Sequence, residues 1–120
     1  DEASKGNYVI VGGDFNHDLV NSYERGLFKS DQKLPDWLQI LNDSDLAEGF
    51  SIAADDKNPS CRDADIPYKK DVVFTSVVDG FIVSSNVTVK FVNNITSLNG
   101  QDISFMYSDH NASVLKFILN

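Results

Sequence analysis

Asp14 and Asn16 follow two consecutive glycines in Gly12-Gly13-Asp14-Phe15-Asn16, and residues two apart on an extended segment project to the same side. A carboxylate and an amide placed this way can converge on one phosphoryl group, one accepting a proton and the other donating to an oxygen. Far along the chain, Ser108-Asp109-His110 supplies an imidazole. Such a ring can donate to a phosphoryl oxygen and stabilise the charge that grows there, provided a second group fixes its orientation. Asp79, in Val78-Asp79-Gly80-Phe81, is the third acidic candidate. Each string alone has a plainer reading: a Gly-Asp turn with Asn16 capping a helix after it, a bulge before Gly80, and a histidine satisfied within the fold.

In this order and at these spacings, the three strings resemble the second half of the endonuclease/exonuclease/phosphatase superfamily, and the resemblance runs from Tyr8 to Leu119. It implies an α+β fold in which residues 1–120 are the C-terminal half of a longer domain. That half would be one half of a four-layered α/β/β/α sandwich, a mixed, mostly antiparallel sheet with helices on one face. The resemblance also implies roles. Asp14 activates water, Asn16 positions a phosphate oxygen, Asp79 orients His110, His110 stabilises the phosphoryl charge, and Asp109 lies close to metal or phosphate. The metal is Mg2+ or Mn2+, with Asp14 and Asp109 contributing and a principal Glu ligand expected in the N-terminal half that precedes these motifs. The expectation is a metal-dependent phosphoesterase, hydrolysing phosphodiesters or phosphomonoesters by in-line attack of water in the intact parent, with the fragment alone inactive. The competing expectation is a catalytically silent folded fragment or a self-associating interaction module.

Positioning these groups falls to a small set of elements. Tyr8–Val11 reads as a strand buried on both faces that stops at the glycines. Pro35 suits a first helical turn, and Leu34, Trp37, Leu38 and Leu41 share one helical face, which predicts an amphipathic helix over Pro35–Asn42 with its Trp in the core. Phe50–Ala53 reads as a short strand and Asp55–Lys70 as the longest irregular loop. Arg62 and Tyr68 lie in that loop beside Lys69 and Lys70 as a candidate substrate-binding rim, against the plainer reading of solvated surface. Within the same loop, Cys61 reads as a small buried hydrophobe, and Asp55, Asp56, Asp63 and Asp65 as solvated charges. His17 reads as a first-turn helix residue outside the site. Beyond Asp71 the pattern is β-rich: Val72–Ser76, Val78–Ser84, Val87–Phe91, Ile103–Tyr107 and Val114–Leu119, with a polar turn over Asn93–Asp102.

Composition narrows the partners. Ten basic residues against 18 acidic ones leave a net charge of −8, which opposes nonspecific attraction to long nucleic acid, while the resemblance implies a phosphate-ester substrate. A bound divalent cation would change that local balance. The apolar runs are too short to span a bilayer, and no charged-then-apolar signal segment opens the chain. The single Cys61 excludes an intramolecular disulfide, which leaves a cytoplasmic and a secreted location equally open. Four N-x-[ST] strings, at Asn42, Asn86, Asn94 and Asn111, carry little weight among 11 asparagines. Strands with apolar residues enough for two faces, covered by one helix layer, predict an exposed sheet face. Two partners could cover it: the missing N-terminal half, or a second copy in a homodimer.

Overall fold

The computed structural model describes residues 5–120. Its organising element is β5 (Asp79–Ser84), the central strand of a three-stranded antiparallel sheet with β1 (Ile10–Asp14) on one side and β2 (Phe50–Ala53) on the other. Among the described residues there are three further two-stranded antiparallel pairs: β3 (Cys61–Arg62) with β4 (Thr75–Ser76), β6 (Val87–Asn94) with β9 (Ser113–Leu119), and β7 (Ser97–Leu98) with β8 (Gln101–Asp102). The β7–β8 turn places Asn99 and Gly100 at φ 53° and 81°, the left-handed pair that a two-residue hairpin requires.

This corrects the α+β expectation. Among the described residues the only helical element is a 3-10 turn, Asp43–Asp45, and no helix layer covers a sheet face. The helix expected over Pro35–Asn42 shrinks to one turn, Leu38 N–H donating to Pro35 O at 3.1 Å. Two turns of amphipathic pattern are too short to hold a helix unaided. The backbone instead forms a bridge with Asp18: Asp18 N–H donates to Gln39 O and Leu41 N–H to Asp18 O. Leu41 still packs on the core, whereas Trp37 is exposed rather than buried.

Irregular chain supplies the core that helices were expected to supply. Leu19, Val20 and Val77 form a buried cluster, with Phe15, Phe28, Ile52 and Ala54 against it. The turn that delivers Leu19 and Val20 is tied by the buried Asp18 carboxylate, which accepts from Val20 N–H, Ser22 N–H and Ser22 Oγ. Asp55 is buried too, not solvated as expected: its carboxylate accepts from Lys57 N–H, Asn58 Nδ2 and Asn94 N–H, joining the central loop to β6.

Other expectations shift for local reasons. Ile103–Tyr107 is a turn rather than a strand, because Phe105 adopts φ 56° and donates its N–H to Asn111 Oδ1. Only Thr75–Ser76 of the expected Val72–Ser76 strand pairs. The strand begun at Tyr8 is not buried on both faces, since Val11 and the residues after it are exposed.

β5 tolerates little added bulk where it meets β2. A Cβ on Gly80 would lie 2.9 Å from Leu19 Cδ1, 3.0 Å from the Ala53 carbonyl oxygen and 3.2 Å from Ala54 Cβ. The Leu19 methyl can swing aside, but the carbonyl belongs to the strand backbone. Gly80→Ala is expected to destabilise the fold by about 1–3 kcal/mol through this overpacking. Urea denaturation checks it, and an unchanged midpoint would show that the backbone yields freely.

Candidate active site

Register alone brings two acids together. In the β1–β5 ladder Asp14 lies directly opposite Asp79 and Gly13 opposite Gly80, and directly paired residues project from the same face. The neighbouring pair, Gly12 opposite Phe81, leaves no room for a side chain, since a Cβ at Gly12 would sit 2.8 Å from the Phe81 ring. Any side chain here would have to push that ring aside.

The histidine arrives from a loop stitched onto β3. Cys61 and His110 form an antiparallel bridge, Arg62 N–H donates to Asp109 O at 3.0 Å, and Asn111 N–H to Ser60 O at 2.8 Å. The buried Asn111 side chain holds the loop further, donating to Pro59 O and accepting from Phe105 N–H. His110 N–H donates to Ser108 Oγ at 3.1 Å, a local turn that sets the ring's approach. Ser60 anchors the other side: its buried Oγ accepts from the N–H groups of Val78 and Asp79.

Together these ties place His110 Nδ1 2.7 Å from Asp79 Oδ2. The opposite ring nitrogen, Nε2, faces Asp14 Oδ2 at 3.9 Å, Asp109 Oδ2 at 4.0 Å and Cys61 Sγ at 3.7 Å. Asp14 divides its labour, because Oδ1 accepts the Asn16 N–H at 2.8 Å while Oδ2 turns toward the imidazole. Asn16 adopts φ 51°, a left-handed conformation that asparagine tolerates well.

Electrostatics follow from this crowd of acids. Burial disfavours the imidazolium, but the Asp79 hydrogen bond and the charges of Asp79, Asp109 and Asp14 outweigh it, so His110 titrates above its ordinary 6.5. Burial raises the Asp79 carboxyl, with the His110 and Ser60 hydrogen bonds and the His110 charge opposing. Burial and the three carboxylates push the Cys61 thiol up to about 12.

The group opens into a cleft of about 370 Å3 that Asn16, Lys33, Trp37 and Arg62 also line. Arg62 spends Nη1 on the carbonyl oxygens of Asp63 and Ile66, and its buried Nε has no partner among the described residues. Tyr68 does not reach this cleft. Its ring packs edge-on against Phe105, 4.8 Å between centroids, beside a separate hollow. His17 turns Nδ1 to Phe15 O and stays outside the group.

Asp14, Asp79 and His110 present ligand atoms within 4.8 Å of one another. Asp79 is already engaged with Nδ1 and Asp14 is the more exposed carboxylate of this trio; Asp109, the other carboxylate expected at the metal, stands beside it, 4.0 Å from Nε2. One or two carboxylates with water and substrate oxygens suit Mg2+ or Mn2+. Sequence reasoning missed Cys61 and Trp37 as neighbours of the site. Cys61 carries no local signal, since its closeness to His110 depends on the β3 bridge, while Trp37 was assigned to the core on the strength of a helix that does not form.

Comparisons with protein-family models, with curated proteins and with solved structures return no match.

The raised His110 pKa has a definite stability signature. Its contribution is fully present below the unfolded value near 6.5 and is lost as pH rises through the higher folded value. Ring-proton NMR of the wild type should therefore give a midpoint above 6.5, and Asp79→Asn should lower it and flatten the alkaline loss of stability. Identical midpoints in both proteins would contradict the pairing.

Proposed function

We propose that this chain carries the acid–histidine half of a metal-dependent phosphoesterase site, acting on phosphodiesters or phosphomonoesters. The observation that carries the reading is the position of His110. Its Nδ1 is bound to Asp79 at 2.7 Å and its Nε2 is turned toward Asp14 and Asp109 in an open cleft. The order of the three sequence motifs supports it.

In this reading Asp14 Oδ2 takes the proton of a water whose oxygen attacks phosphorus in line. The new P–O bond forms as the bond to the leaving oxygen breaks, and that oxygen takes a proton from solvent. His110 Nε2–H donates to a nonbridging oxygen, where charge accumulates, and Asp79 holds the ring so that this proton points at the substrate. Asn16 donates its amide to a second oxygen, and Arg62 adds positive charge at the cleft wall. A divalent cation bound by Asp14 and Asp109 would neutralise phosphoryl charge. Such a cation is needed, because the acids around Nε2 repel a phosphate and the whole chain carries −8. The resemblance assigns the principal metal-binding Glu to the N-terminal half, so the reading places full activity in the parent enzyme.

The test is hydrolysis of a simple phosphodiester by the parent enzyme with Mn2+. His110→Ala is expected to lower kcat at least about 100-fold, the usual scale for a lost acid–base group. Arg62→Ala is expected to raise KM with a smaller change in kcat. A His110→Ala enzyme near the wild-type rate would overturn the assignment.

A second reading has its own observation. Phe91 on β6 and Val114, Phe117, Ile118 and Leu119 on β9 are all exposed, so this ribbon offers apolar surface that a second copy could cover. Sedimentation of the isolated chain should then show a dimer that Phe117→Lys returns to monomer. A monomer at high micromolar concentration would remove this reading.

A further inference from the structure

Trp37 is the only tryptophan of the chain, and the phosphoester chemistry leaves it unused. Single exposed apolar side chains are ordinary on protein surfaces. This one differs in its place: it lines the same cleft as Asn16, Arg62 and His110 and is 54% exposed, while Leu34, Leu38 and Leu41 of its own segment are partly buried. We infer that Trp37 is a stacking platform beside the reacting phosphate, and that the substrate is a small phosphoester carrying a planar aromatic ring, either the base of a nucleotide or an aryl alcohol.

The platform is built in advance. Pro35 presets its own backbone angle, and Leu38 N–H donates to Pro35 O at 3.1 Å, closing a turn that contains Trp37. Downstream, Asp18 N–H donates to Gln39 O at 2.7 Å and Leu41 N–H to Asp18 O at 3.1 Å, which joins the segment to the chain leaving Asn16. Upstream, Gln32 Nε2 donates to Asp63 Oδ2 at 2.8 Å, which joins it to the residue after Arg62. An indole on a backbone already fixed has only two torsions left to lose when a ring settles on it.

Nothing in the described chain competes for that indole. Among the described residues it makes no hydrogen bond and no ring contact, the one aromatic pair there being Tyr68 with Phe105. Lys33, on the same cleft wall, is in no ion pair among them, and Arg62 uses only Nη1. A free aromatic face beside two free cations suits a ligand that joins a ring to an anion, because indole stacks on any planar ring and guanidinium pairs with phosphate. Size agrees. The cleft of about 370 Å3 lies at the small end of ligand sites, which run from about 300 to 1,000 Å3, and so favours one ring with its phosphate over a duplex or a pair of acyl chains.

This names a substrate class for the proposed phosphoesterase site and rests on that reading, but ring binding is measured without turnover. The probes are AMP, phenyl phosphate and ribose 5-phosphate, each titrated with Mg2+ into the isolated chain. Fluorescence excited at the red edge of tryptophan absorption reports on Trp37 alone, since no other tryptophan contributes, and N-acetyltryptophanamide controls for collisional quenching. AMP, phenyl phosphate or both should quench it saturably at concentrations where ribose 5-phosphate does nothing. Quenching by AMP only identifies the ring as a nucleobase, and quenching by phenyl phosphate as an aryl group in general. Calorimetric titration of the probe that binds should weaken at least about tenfold in Trp37→Ala, the scale of one lost stacking contact, and recover most of that in Trp37→Phe, with thermal melts confirming that both variants fold. Quenching by neither ring-bearing probe overturns the proposal, and so does a Trp37→Ala chain that binds within about twofold of wild type. In the parent enzyme, Trp37→Ala should lower the ratio of kcat/KM for an aryl diester to that for an alkyl diester by at least about tenfold. Absent hydrolysis counts against the phosphoesterase, absent quenching against the platform.

Discussion

Two carboxylates placed face to face across a β-ladder are the constraint around which the rest is arranged. The Asp14–Asp79 pair is a register partnership, so neither side chain can turn to the other face without slipping the ladder. Like charges so placed repel. The His110 ring lies between them, 2.7 Å from one and 3.9 Å from the other, and a raised affinity for its proton is the direct consequence. A purely structural ladder would gain nothing from two acids here. Their presence next to an imidazole and an open cleft is what makes the site a candidate for chemistry.

The remainder of the fold keeps that imidazole in place. β5 is anchored at its start by Ser60, and beside that anchor Gly80 lets Leu19 and the Ala53 carbonyl approach closely. The His110 loop is fixed through β3 and through buried Asn111, not through a helix or a long strand. Buried polar side chains do much of the tying: Asp18, Asp55, Asn94 and Asn111 each satisfy backbone groups of irregular segments, and Asp55 also holds the end of β6. Such loops keep their shape because their buried donors and acceptors are matched.

Legibility in the sequence differed by the range of the interaction concerned. Phe50–Ala53, Val78–Ser84 and Val114–Leu119 could be read from short apolar runs to within a residue of the strands that form, because strand pairing uses the same local pattern. The ordered motifs singled out Asp14, Asn16, Asp79, Asp109 and His110; the three carboxylates lie within 4.0 Å of the His110 ring, and Asn16 lines the same cleft. The amphipathic stretch over Pro35–Asn42 misled, because its periodicity says which residues prefer burial and not whether a two-turn helix survives competition from a bridge to Asp18. Cys61 and Trp37 were illegible as site neighbours, and so was the buried state of Asp55. Each depends on contacts with segments distant in sequence, such as the 39 residues separating Asp55 from Asn94.

If His110 relieves the Asp14–Asp79 repulsion, the three side chains must respond to substitution as one electrostatic unit. The most direct measurement is urea denaturation of Asp14→Asn in two backgrounds, wild type and His110→Ala, at a pH where the imidazole is protonated. Neutralising Asp14 should stabilise the fold when the imidazole is gone, and should give no gain or a loss when it is present. An equal effect of Asp14→Asn in both backgrounds would contradict this picture, because it would mean that the histidine and the two acids do not share their charge interactions.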